Sequence, residues 1–107
     1  MVVGALNITL HMAEGDSLKA KRKVVRSILD RVRSKFNSAA AETGTNDLWQ
    51  RIELGFSVCG NQPAHVERQL DEITRFVERL ALAEVTDVRL EVINLKEMTW
   101  APAARAW

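Results

Sequence analysis

The chain has 107 residues, 47% of them hydrophobic and 27% charged, with 15 basic against 14 acidic side chains. That composition describes one globular domain with a modest core, and its near-balanced charge excludes a protein whose overall field alone would gather nucleic acid. The single Cys59 excludes an internal disulfide, no apolar run approaches the ~20 residues of a membrane span, and the first residues lack the basic region of a secretory signal, so the cytoplasm is the expected location.

Residues 2–12 alternate, with Leu6, Ile8 and Leu10 on one side and Asn7, Thr9 and His11 on the other. This predicts a half-buried strand, because side chains in a strand point to opposite faces in turn. Glu14, Gly15 and Asp16 form a turn, and Asp16 or Ser17 offers a short side-chain oxygen to cap a helix. The helix is predicted over residues 17–36, since Leu18, Val25, Ile28, Leu29, Val32 and Phe36 gather into one stripe at about 100° per residue. Residues 38–43 are short and rich in alanine, and are read as an edge strand from their position. A loop follows over 44–47. Residues 51–60 alternate again, with Ile52, Leu54, Phe56 and Val58 on one face and Arg51, Glu53, Gly55, Ser57 and Cys59 on the other.

Asn61-Gln62-Pro63 opens a second helix, where proline sits well because its missing amide hydrogen has no partner in a first turn. Val66, Leu70, Ile73, Val77 and Leu80 then recur every three or four residues, among charges of both signs. Residues 86–95 alternate a last time, with Val88, Leu90 and Val92 directed inward. The order strand–helix–strand–strand–helix–strand predicts an α+β fold of the ferredoxin-like βαββαβ type, a four-stranded antiparallel sheet with two helices on one face. The domain is placed at 1–95. Residues 96–107, with alanines and Pro102, are expected to be a loose tail in which Trp100 and Trp107 offer docking groups.

The first helix stands apart electrostatically. Residues 17–36 hold eight bases, Lys19, Lys21, Arg22, Lys23, Arg26, Arg31, Arg33 and Lys35, against the single acid Asp30. Five of them, Lys19, Arg22, Lys23, Arg26 and Arg33, fall on one flank of the apolar stripe. That flank runs about 21 Å at ~1.5 Å per residue, long enough to face several phosphates. A solvated face usually mixes both signs, because like charges at i,i+3 and i,i+4 repel by a few tenths of a kcal/mol. The plainer alternative is such a solvated face, partly paired with Glu67, Asp71 and Glu72 of the second helix.

Ser17-Leu18-Lys19-Ala20-Lys21-Arg22 and Asp47-Leu48-Trp49-Gln50-Arg51 carry a resemblance that extends over roughly residues 1–95. In these stretches, and in MVVGALNITLHM and HVERQLDEITRFVE, the chain resembles the YlxP-like family of small bacterial proteins. The resemblance implies a ferredoxin-like fold. Members of that family tend to be encoded among translation and ribosome-maturation genes, which implies a link to ribosomal RNA or the ribosome. No catalytic residues come with it. The chain departs from the family pattern in its second strand, poorer in β-branched residues, and in the tail after Leu95.

Two other surfaces are candidates. Trp49, in the loop entering the third strand, is placed to stack a base while Arg51 grips a phosphate; the alternative, preferred for Trp49, is a plug over the end of the sheet. The outward sheet face carries no aromatic, so stacking of bases on it is not expected. It suits pairing with a second subunit, as does the weak edge strand. Catalysis has little support. His11 and His65 lie far apart, no metal-ligand cluster or Gly-rich phosphate loop is present, and pairing the first and third strands sets His11 by Arg51 or Glu53 and Cys59 near Ala5. The expectation is a non-enzymatic module without cofactor that binds RNA or the ribosome through Lys19, Arg22, Lys23, Arg26, Arg33 and Arg51. The alternative is a homo-oligomeric interaction or small-ligand module.

Overall fold

The protein is described from a computed structural model, which covers residues 1–13, 16–44 and 50–97. Trp49, Asp47 and the tail residues Trp100 and Trp107 lie outside the described residues. The elements are β1 (Val2–His11), α1 (Leu18–Lys35), β2 (Ala39–Gly44), β3 (Arg51–Gly60), α2 (Pro63–Leu80) and β4 (Glu84–Asn94), with a short 3-10 turn at Leu95–Glu97. The four strands form one antiparallel sheet in the order β2-β3-β1-β4. This is the ferredoxin-like arrangement that the alternation pattern predicts.

The core is built where periods two and 3.6 meet. Leu6, Ile8 and Leu10 of β1 and Ile52, Leu54, Phe56 and Val58 of β3 are buried against Val25, Ile28, Leu29 and Val32 of α1 and Val66, Leu70, Ile73 and Val77 of α2. Gly4 is what lets α2 settle on the sheet. A Cβ there would come within 2.6 Å of the Val66 side chain and 2.7 Å of Leu70. The two helices meet through Phe36 and Phe76, edge to face with ring centres 5.6 Å apart, a favoured aromatic geometry. Ser17 caps α1, its hydroxyl accepting the Ala20 amide at 3.1 Å. Pro63 opens α2, and Ala81, with φ 51°, closes it in the left-handed region.

Three expectations need correction. The register sets Cys59 opposite Val3 rather than Ala5, while His11 faces Arg51. The last strand begins at Glu84, two residues before the predicted start, because a register shift between Thr9 and Leu10 lets β4 go on pairing as far as His11, and it ends at Asn94, one before the predicted end, opposite Val2 where β1 begins. Val88 and Leu90 do face the helix side, opposite Ile8 and Leu6, yet they are 41% and 44% exposed. Alternation reports which way a side chain points. It does not report whether anything covers it, and at this edge of the sheet α2 does not reach far enough.

Candidate nucleic-acid interface

α1 lies with its apolar stripe on the sheet, which turns Lys19, Arg22, Lys23 and Arg26 to solvent. Among the described residues none of these four side chains lies within 4.0 Å of a carboxylate. The pairing with α2 that a solvated face would use is not found: Asp71 instead bonds Arg75 of its own helix at 2.9 Å. The bases also crowd the N-terminal half of α1, which has no acid in its first turn. The amide dipoles of a helix make that end positive and favour anions there. The arrangement therefore repels itself locally, and an anion laid along it would relieve the repulsion.

Between α1 and β2 runs a groove of about 420 Å³, walled by Arg22, Arg26 and Arg33 and floored by Leu18, Val25 and Leu29. Asp30, Lys21 and Glu42 also line it, Lys21 and Glu42 joined by an ion pair of 3.8 Å. Lys21 is only 2% exposed. The sequence counts it among the eight bases of the helix but not in the flank row; it falls inside the apolar stripe, and its methylene stem packs there while the amine reaches Glu42. A lysine at a stripe position was the signal; its partner on β2 could be named only once the strand was placed.

The other two predicted residues separate from the row. Arg33 donates to the Ala40 carbonyl of β2 and lies 3.6 Å from Asp30, so its guanidinium ties the end of α1 to the edge strand. Arg51 is the first residue of β3 and shares a sheet face with Glu53, which it bonds at 2.8 Å. Because Ile52 beside it points to the helices, Arg51 points the opposite way, to the open face, and does not join the α1 flank.

That open face holds a second, wider groove of about 570 Å³. Its floor is small: Ala5, Ala39, Ala41, Gly55 and Ser57. Thr43 crosses it above Gly55 to donate to the Asn7 side-chain oxygen at 2.8 Å, and a Cβ on Gly55 would meet the Thr43 methyl at 2.4 Å. Cys59 is exposed on the same side as a sheet residue. Among the described residues no aromatic lies on this face.

Comparison with known proteins assigns the chain to a family. Residues 3–90 match the family described as "Protein of unknown function (DUF503)". The chain belongs to the DUF503 family. Within it, the chain is 35% identical over 78 residues to "Uncharacterized protein YlxP" of Bacillus subtilis (strain 168), a span of 73% of this chain and 85% of that one. Among solved structures it resembles a protein of Deinococcus radiodurans provisionally described as an antibiotic biosynthesis monooxygenase, with TM-score 0.50, 16% identity and coverage of 100% of this chain and 99% of the other. At that identity the likeness shows the fold alone. A de novo designed protein with ferredoxin fold aligns with TM-score 0.49 and 15% identity over 98% of this chain and 96% of its own. Among the described residues of this DUF503 protein, no helix is long and apolar enough to cross a membrane.

Proposed function

We propose that this DUF503 protein is a non-enzymatic RNA-binding module of the cytoplasm that grips phosphates with the exposed flank of α1. The observation that carries this reading is the row Lys19, Arg22, Lys23 and Arg26, four outward cations that no described carboxylate neutralises. A phosphate backbone supplies the missing charge, and the counterions it releases make binding strongly salt-dependent. Arg22 and Arg26 wall the α1–β2 groove, where a phosphate entering from solvent meets both. Arg33 stands at the end of the row and serves it only while keeping its bond to Ala40. Arg51 is left out of the contact surface, since it lies on the other side of the sheet.

Contacts of this kind hold the backbone and read no bases, so the module should prefer shape over sequence. The YlxP-like resemblance favours ribosomal RNA as the partner, through the translation genes beside which that family tends to be encoded. The test is binding of the purified chain to ribosomal subunits and to a duplex RNA over a salt series. Replacing Lys19, Arg22, Lys23 and Arg26 together by glutamine should remove roughly three to four units from the log–log salt slope, about one for each cation. An unchanged slope in that variant overturns the assignment.

A further inference from the structure

The two edges of the sheet are treated differently. β2 is a short edge of six residues, and Arg33 occupies the Ala40 carbonyl on it. β4 is eleven residues long, pairs with β1 on one side, and on its other side bonds to nothing among the described residues. Long apolar strand edges are a liability that proteins cover, charge or shorten. Here Val88 and Leu90 stand 41% and 44% exposed on the helix side of β4, and Leu95 just beyond it is 53% exposed.

We propose that β4 is a self-association edge: two copies of the chain join β4 to β4, antiparallel about a two-fold axis at Leu90, into one eight-stranded sheet. The charges on the strand reject one neighbouring register, and its apolar residues reject the other. With the axis at Leu90, Leu90 meets its own copy, Val88 meets Val92, Thr86 meets Asn94, and Arg89 meets Glu91. Each heterotypic pair then occurs twice, as a two-fold interface requires. Like meets like on the helix side; on the open side Arg89 and Glu91 meet as opposite charges next to the axis, with Asp87 and Ile93 outside them, and directly opposed pairs interact most strongly. Moving the axis to Arg89 sets Arg89 against Arg89 and Asp87 against Glu91. Moving it to Val88 still sets Arg89 against the acid Asp87, but it puts Leu90 against Thr86 and Val92 against Glu84 and so loses the apolar match. Arg89 can reach across, because its side chain is 82% exposed and its exposed pair with Asp87 at 3.2 Å lies on the same face and can be exchanged for Glu91. The axis stands normal to the sheet, so all four helices share one side of the joined sheet and Val88 and Leu90 become interior.

The experiment combines sedimentation equilibrium with directed cross-linking, on a Cys59→Ser background that removes the exposed native thiol. In this register Leu90 lies directly opposite its copy, with Cα atoms about 4.5–5.5 Å apart, within disulfide reach. Val88 is as exposed but sits four residues out of step with its own copy, roughly 13 Å away. Leu90→Cys should therefore oxidise to a covalent dimer and Val88→Cys should not. In the wild-type chain, Arg89→Glu and Glu91→Arg should each raise the dimer dissociation constant at least tenfold, and the two together should restore it. A one-chain mass up to submillimolar concentration with no cross-link overturns the proposal. So does a dimer indifferent to both charge swaps, or one that cross-links through Val88→Cys in preference to Leu90→Cys.

Discussion

α1 and α2 are the same length, eighteen residues, and do the same work in the core, yet their outer surfaces are opposites. α2 mixes Glu67, Asp71, Glu72 and Glu78 with Arg68, Arg75 and Arg79, and pairs Asp71 with Arg75 along one face. It starts with a proline at its first turn. α1 carries eight bases and one acid, sets several of the bases where its dipole opposes them, and relies on the Ser17 hydroxyl for its start. One helix is arranged for stability on its exposed side. The other gives up stability there and keeps a surface that attracts anions. Because the sheet beneath is common to both, the contrast is a property of the outer residues and can be tested by exchanging them.

The largest effect should come from neutralising each outer face in turn. Glutamine at Lys19, Arg22, Lys23 and Arg26 should weaken duplex-RNA binding at low salt by about two orders of magnitude or more, measured by filter binding. Glutamine at Arg68, Arg75 and Arg79 of α2 should change it by less than about threefold, since those cations stand among acids. Equal losses from the two sets would reduce the contrast to bulk charge.

Next in size is the seating of α2. Gly4→Val should destabilise the fold by about 1–3 kcal/mol in urea titration, because the added side chain overpacks against Val66 and Leu70. RNA affinity per folded molecule should be unchanged, since α1 keeps its place. Ser17→Ala should cost about 1 kcal/mol by removing the cap on α1. The smallest effect has the opposite sign. Lys19→Glu, at the first turn of α1, should stabilise the chain by a few tenths of a kcal/mol while weakening RNA binding. A loss of stability from that substitution would mean the base is there for the fold.

How much of this was legible beforehand depends on what each residue's role requires. Ile52, Leu54, Phe56 and Val58 announce their burial by alternation alone, and β3 begins at Arg51 and ends at Gly60 as read. The α1 stripe and its Ser17 start are local, and so they were visible too. Arg33 was not separable from the row, nor Arg51 from a phosphate grip beside it, because whether a guanidinium is spoken for depends on a carbonyl or carboxylate that folding brings near. The burial of Lys21 against Glu42 was hidden for the same reason, its partner lying 21 positions away in the chain. The exposure of Val88 and Leu90 follows from the width of a two-helix layer over a four-stranded sheet, a quantity no alternation pattern contains.

The sheet order also governs when this protein can fold. β1 is an inner strand, hydrogen-bonded to β3 on one side and to the last strand, β4, on the other. The bond from the Thr86 hydroxyl to the Thr9 carbonyl closes a separation of 77 residues. During synthesis, β1, α1, β2, β3 and α2 emerge with one edge of β1 open, and the core strand stays half-paired until residues 84–94 have been made. Native contacts of long sequence separation slow folding, and an unpaired inner strand invites misassembly while it waits. Completion of the sheet is thus set by translation of its final strand, and truncation ahead of Glu84 should yield a chain that aggregates or is degraded instead of a smaller stable domain.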